Sequence, residues 1–432
     1  MKHWETQYET MSLESMREFQ SARLRDTVQW VYDRLPFYRR KLDELGVKPA
    51  DIRSIDDIRR LPFTVKNDLR DNYPFGLCAV PMKDLVRIHA SSGTTGKPIT
   101  GPYTAEDLDQ WATCMARSLW AQGVRPDDVA QNAYGMGLFT GGLGFFHGAL
   151  KIGCCLVPTG SGLTERQIML MQDFGTTALF CTPTYALTIA EKAEQLGVDL
   201  RKLPLRLGSF GAEPWTVEMR KEIEERMGIQ AHEAYGLTEM MGPGVGFSCE
   251  AYRLHLNEDH CYPEIVDPST LEPLPLGEKG ELVFTALQRR AMPLLRYRTR
   301  DITSLRRVEC ECGRTLVVMD KILGRSDDML IIGGVNVFPS QVESIIMEFS
   351  EMEPLYQIRV NKKGYLDAMK VEAEAKPEMY GRGKEALAEL GQRIAARINA
   401  VIGITVPVEI LPLGAIARSE GKAKRVIDER TA

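Results

Sequence analysis

Between residues 86 and 245, short β-rich runs alternate with helical stretches, and this alternation leaves few architectures open to the chain. The runs cover 86–90, 129–134, 154–157, 178–181, 205–210 and 231–235. Strands separated by helix-length segments favour crossover connections, so the expected fold is α/β, with mainly parallel sheets covered by helices. Ligands of such sheets sit outside the carboxyl ends of the strands, so the residues that follow each run are where chemistry is expected. Ahead of this region, residues 13–34 and 37–45 carry apolar side chains at helical spacing, stop at Gly46, and read as packing helices. Residues 246–323 turn β-rich and proline-bearing, which suggests a smaller antiparallel or barrel-like subdomain. After the charged, turn-forming Gly324-Arg325-Ser326-Asp327-Asp328, the remainder reads β, helix, β, β, helix, β. A large domain over 1–324, a hinge at 325–327 and a small α+β lid over 328–432 are therefore expected, since 432 residues exceed what one core covers.

Charge narrows the partners. Lys and Arg total 54 against 59 Asp and Glu, a net charge of −5 without a basic cluster, which indicates neither nucleic acid nor an anionic membrane surface. Met1-Lys2-His3-Trp4-Glu5 is polar, and nowhere do about 18 apolar residues run together. Small-molecule partners and a cytoplasmic location are the expectation. Nine cysteines, an odd number in a long chain, argue for thiols or metal ligands over a disulfide framework.

Four motifs stand out, three of them at the ends of the β-rich runs. The turn Ser91-Ser92-Gly93-Thr94-Thr95-Gly96-Lys97-Pro98 combines glycines that let the backbone aim its N–H groups inward with hydroxyl donors and a point charge, which suits a polyphosphate such as that of ATP. It is not a kinase-type P-loop, because Ser91 and Pro98 occupy positions where that pattern needs Gly and Ser or Thr. Glu233-Ala234-Tyr235-Gly236-Leu237-Thr238-Glu239 ends a strand with a ring that can stack on a base, a hydroxyl that can donate to phosphate and a carboxylate that can hold magnesium. Gly211-Ala212-Glu213-Pro214 offers small residues beside a flat ring. Asp301, in Tyr297-Arg298-Thr299-Arg300-Asp301, offers a carboxylate for a pair of ribose hydroxyls.

With these motifs in order along nearly the whole chain, the sequence resembles the adenylate-forming superfamily of acyl-CoA synthetases, adenylation domains and luciferases. Several stretches are similar to the phenylacetate–CoA ligase branch: Gln131 to Gly135, Phe139-Thr140-Gly141-Gly142, Asp259-His260-Cys261-Tyr262-Pro263-Glu264, and 326–332 through 336–339. The resemblance implies a two-step reaction in which an aryl carboxylate attacks the α-phosphorus of ATP, and CoA then displaces AMP from the acyl-adenylate. It implies that the loop from Ser91 to Lys97 holds the departing phosphates, Thr238 meets the α-phosphate and Glu239 binds magnesium. Ala212, Glu213 and Tyr235 would frame adenine, with Asp301 on ribose and Arg325 on the nucleotide side of the hinge. In Arg418-Ser419-Glu420-Gly421-Lys422, Lys422 matches the family's catalytic lysine, and Asp327 matches its hinge position. Met136, Phe139, Tyr235 and Pro243 match acyl-site positions, Met136 standing where phenylacetate-type members carry an aromatic residue. A homodimer is what the family suggests. An enzyme passing its acyl group to a carrier protein or an amine would share every nucleotide motif, and a non-catalytic nucleotide or acyl-CoA sensor would keep the fold.

Cys310-Glu311-Cys312-Gly313 places two thiols on one glycine turn, and Cys249 with His255 offers a second pair. Three sulfurs and an imidazole suit structural zinc. His260 and Cys261 compete as ligands but fall within the Asp259 to Glu264 element, so His255 is preferred. The other reading is a set of unpaired buried thiols.

Overall fold

The computed structural model describes every residue except 1, 92–97, 327–329, 333–334, 364–365, 419–424 and 431–432. The parallel core forms where the alternation places it. Gln230–Leu237, Leu207–Gly211, Ala178–Cys181, Val129–Asn132 and Cys155–Val157 run parallel, in that spatial order. Side chains two apart share a face, so Ala178 and Phe180 enter one apolar cluster while Leu179 and Cys181 enter another. The first cluster takes in the helices Leu13–Arg34, Pro36–Glu44 and Ala105–Ala121; the second takes in Pro183–Gln195 and Val217–Met227. Threonine caps start two of the crossover helices. Thr182 accepts the Tyr185 amide (3.3 Å) and Thr216 that of Met219 (3.1 Å), and the second helix stops at Gly228 with φ +70°.

Two β-rich regions are divided differently from the simple alternation. Arg87–Ala90 does not join the large sheet but pairs antiparallel with Thr100–Tyr103 as a separate hairpin. The partner strand contains Gly101 and Pro102, the residue types least suited to strands, which hides it in the sequence. The stretch 246–323 is shared between two sheets. Leu254–Leu256, Val318–Met319 and Leu305–Arg306 extend the large sheet beyond Gly242–Ser248 to nine strands. Cys261–Val266, Gly280–Ala286, Tyr297–Thr303 and Gly324–Arg325 form a four-stranded antiparallel sheet.

The C-terminal part has its own core. Met352–Lys363 and Leu366–Ala375 form the centre of a four-stranded sheet flanked by Val408–Leu411 and Val426–Asp428. Helices Pro339–Ile346 and Lys384–Ile402 cover it, bringing Val342, Ile394 and Ile398 against Ile358 and Val371. Among the described residues no helix is long and apolar enough to cross a membrane.

Candidate active site

A cavity opens at the carboxyl ends of the parallel strands and is lined by the last residues of two strands with those that follow, Gly211 to Trp215 and Glu233 to Glu239, and by Tyr134 with Phe139 to Gly141 beyond a third. The backbone approaches itself closely here. A Cβ on Gly211 would lie 2.1 Å from the Ala234 carbonyl oxygen and one on Gly236 would lie 1.9 Å from that of Gly242, so only glycine fits either place. Ala212 turns with φ +72°, and the adjoining Glu213 accepts the Thr184 amide through Oε1 (2.7 Å). The carboxylate of Glu213 thereby ties the turn to the start of the helix Pro183–Gln195.

Tyr235 and Asp301, read separately from sequence, are joined directly. The Tyr235 hydroxyl donates to Asp301 Oδ2 at 2.6 Å, and Arg325 Nη1 lies 3.4 Å from Oδ1. Register explains the second contact, because Asp301 and Arg325 are paired across Tyr297–Thr303 and Gly324–Arg325. Burial, and then the Asp301 carboxylate, hold the Tyr235 phenol well above its ordinary range, so it stays a donor. Thr238 Oγ1 is 3.3 Å from Thr140 Oγ1 at the head of the helix Thr140–Ile152. Glu239 faces the cavity with its backbone oxygen held by Arg289 (2.8 Å). Burial pushes the Glu233 carboxyl up, partly opposed by Lys321 and Arg220.

Of the four acyl-site candidates, Phe139, Tyr235 and Pro243 line the cavity. Met136 is not among the lining residues. It is 39% exposed, and its sulfur lies on the helix side, 3.0 Å from where a Cβ on Gly142 would be. The aromatic wall comes instead from Tyr134, which stacks on Phe145 (centroids 4.7 Å apart), itself stacked on Phe180 (5.1 Å). Phe139 sits so close over Gly141 that a Cβ there would lie 2.2 Å from its ring. Ser91 lines the cavity, while Ser92, Gly93, Thr94, Thr95, Gly96, Lys97, Asp327 and Lys422 lie outside the described residues.

Lys66, Trp215 and Lys321 also line the cavity without belonging to any motif singled out in the sequence, and so does Tyr297, the first residue of the Tyr297 to Asp301 motif, to which sequence reasoning gave no role. Lys66 Nζ is 4.0 Å from Glu239 Oε1. It is set there by Thr64, fully buried, whose amide donates to the Arg296 oxygen (3.1 Å) and whose oxygen accepts the Arg298 amide (2.9 Å). The Lys321 ammonium donates to the Trp215 oxygen at 3.2 Å, and burial lowers its pKa. These are long-range pairings, for which a local pattern holds no sign.

The Asp259 to Glu264 element acts as an anchor. Asp259 receives both Nη atoms of the fully buried Arg117 (2.8 and 3.0 Å), and Glu264 pairs with Arg296 (3.0 Å). His260 lies against Asp259 (3.5 Å) and is not among the residues that cluster with Cys310 and Cys312. The quartet Cys249, His255, Cys310 and Cys312 does assemble, with ligand atoms all within 4.8 Å of one another. Cys249 and Cys310 sulfurs are 3.7 Å apart, near the roughly 3.8 Å edge of a tetrahedron built on zinc–sulfur bonds of about 2.3 Å. His255 Nδ1 lies 3.2 Å from the Leu316 oxygen, which leaves Nε2, 3.4 Å from the Cys312 sulfur, to face the quartet.

A cleft at the carboxyl ends of parallel strands, beside a separately packed C-terminal part, is the arrangement of an enzyme of the adenylate-forming class, and the comparisons with known proteins show that class. The AMP-binding enzyme family matches residues 7–288 and the AMP-binding enzyme C-terminal domain matches 334–430. The phenylacetate-coenzyme A ligase of Thermus thermophilus is 48% identical over 442 residues, 99% of each chain. A crystal structure of 2-hydroxyisobutyryl-CoA ligase in the postadenylation state, with an acyl-AMP, is 28% identical and superposes with a TM-score of 0.94 over 100% of this chain and 93% of that one. The same ligase in its thioesterification state, with CoA, gives 0.74 at 29% identity over the same shares. The chain belongs to the phenylacetate–CoA ligase family of AMP-binding enzymes, and is an AMP-forming acid–thiol ligase.

Proposed function

We propose that this enzyme couples phenylacetate, or a close aryl acid, to CoA at the expense of ATP. The observation that carries the reading is the convergence, in one cleft, of the Tyr235–Asp301–Arg325 set, Thr238 and Glu239 with the stacked wall of Tyr134 and Phe145. In this reading adenine lies between the 212–214 turn and Tyr235, with Glu233, Ala234 and Gly236 at its edge, and Asp301 accepts the ribose hydroxyls. The aryl ring rests on the aromatic wall, and Phe139 and Pro243 close the slot. The acid's carboxylate attacks the α-phosphorus and the α–β bridging bond breaks, releasing pyrophosphate, with Thr238 donating to the α-phosphate and the Ser91 to Lys97 loop and Lys66 meeting the departing charge. Lys422 supplies the cation between carboxylate and phosphate oxygens in this step. The CoA sulfur then attacks the acyl carbon, and the carbon–oxygen bond to AMP breaks. Glu239 is the residue that would hold magnesium, which neutralises phosphate charge. The two-part division with a hinge at 325–327 lets Lys422 act in the first step and leave room for CoA in the second. Cys249, His255, Cys310 and Cys312 are proposed to hold a structural zinc, which the donor set fits.

The test is a panel of aryl acids with ATP and magnesium, following pyrophosphate with and without CoA and thioester by mass. Acid- and CoA-dependent AMP with phenylacetyl-CoA supports the reading. Pyrophosphate without thioester would transfer it to a carrier-protein or amine acceptor, and ATP binding without turnover on any acid would favour a sensor.

A further inference from the structure

The segment leading to Lys422 is fastened twice by one guanidinium. Arg418 Nη1 donates to Glu374 Oε1 (2.9 Å) and to the Ile416 oxygen (2.9 Å), and Glu374 also accepts the Ile416 amide (2.7 Å). Glu374 is fully buried within Leu366–Ala375, so these bonds fix residues 416–418 onto the C-terminal sheet and travel with it. The other edge of the same guanidinium crosses to the large domain. Nε and Nη2 both lie 3.1 Å from the two carboxylate oxygens of Glu191, on the helix Pro183–Gln195. Such a fork is charge-assisted and directional, and here both partners are only about a quarter exposed (22% and 26%). Two other cross-domain ion pairs, Arg226 with Glu353 (3.6 Å) and Lys376 with Glu222 (3.9 Å), are longer and lack this two-point geometry. The helix bearing Glu191 begins beside the nucleotide turn, where Glu213 holds the Thr184 amide, so one rigid element links cleft and fork.

We infer that Glu191 is a positioning residue for adenylation, a latch that clamps the Arg418 segment, four residues before Lys422, onto the large domain in this arrangement and lets go before the thioester step. The inference rests on the two-step reading above. Breaking the fork from the Glu191 side leaves the Glu374 attachment intact, so the C-terminal part keeps its own structure and only the shared arrangement is weakened. A half-buried bidentate pair of this kind corresponds to about a fivefold to tenfold change in population.

The test splits the half-reactions in Glu191→Gln. Adenylation, read as acid-dependent ATP–pyrophosphate exchange without CoA, is expected to fall about fivefold to tenfold, while conversion of synthetic phenylacetyl-adenylate and CoA to thioester stays within twofold. Equal loss in both, or loss in neither, overturns the latch. A third measurement does not depend on the acid. Small-angle scattering of the ligand-free enzyme should show the variant shifted away from the compact arrangement described here, and a profile identical to the parent's overturns the latch even if no aryl acid proves to be a substrate.

Discussion

Replacing Tyr235 by Phe removes one oxygen from the site and leaves its ring in place. The lost contact is a 2.6 Å hydrogen bond to Asp301 Oδ2, made by a phenol that is itself buried. Hydrogen bonds to charged partners contribute about 1.5–3 kcal/mol. Arg325, 3.4 Å from Oδ1, still steers the carboxylate, so the lower half of that range, about 1.5–2 kcal/mol, applies to its orientation. At about 1.4 kcal/mol per decade this is roughly a 10- to 30-fold rise in the KM for ATP, with the KM for the acid changed much less. The assay is AMP formation at saturating acid and CoA as ATP is varied. Asp301→Asn and the double variant complete a cycle, in which a coupling of about 1 kcal/mol or more is expected for groups in direct contact. Additive effects, or an ATP KM within twofold of the parent's, would refute the claim that Tyr235 orients the Asp301 carboxylate proposed to meet ribose.

Gly141→Ala should force the Phe139 ring off its seat, because the new methyl would lie 2.2 Å from it; the KM for aryl acids is expected to change fivefold or more while that for ATP holds, and a proportional change in both would count against Phe139 as a slot wall. His232 is fully buried, and burial, helped by Arg220, lowers its pKa to about 4. Since an unfolded histidine titrates near 6.5, the folded form prefers the neutral ring; the associated stability is complete above pH 6.5 and is lost as pH falls to 4, a change of about 3 kcal/mol. Urea midpoints at several pH values should therefore fall less steeply in His232→Phe, and parallel profiles would contradict this. One zinc per chain is expected by elemental analysis. Its removal by chelator, or Cys312→Ser, should lower the melting temperature by several degrees with the ATP KM unchanged, and metal-free parent protein of unaltered stability would dismiss the site.

The parallel strands were readable because strands such as Ala178–Cys181, buried on both faces, are continuous apolar runs. The residues proposed to meet the nucleotide were readable by position, since 211–214 stand at the end of Leu207–Gly211 and 233–239 run through the last residues of Gln230–Leu237 and just past it. Strands of two residues, such as Leu305–Arg306 and Val318–Met319, carry no periodicity at all and exist only through their neighbours. Lys66 and Lys321 reach the cleft through backbone pairing and burial far from any motif. The Cys-x-Cys turn announced the cluster of three thiols and an imidazole that the fold assembles. Choosing His255 over His260 from sequence rested on setting aside the Asp259 to Glu264 element, and the fold gives the physical ground: Asp259 and Arg117 form a buried ion pair, with His260 beside it.

In the proposed pocket, the stack of Tyr134, Phe145 and Phe180 bears on the thermodynamics of acid binding. Rings that already lie against one another have no rotamer freedom left to lose, so an incoming aryl group meets a surface that needs no ordering on that side. Association should then show a negative heat-capacity change with a favourable enthalpy near room temperature, as expected for an apolar ligand entering a preformed apolar slot. In the proposed pocket, adaptation to ring substituents would fall to Phe139, which is 41% exposed, so breadth of substrate range would be a property of that side chain and the glycine beneath it.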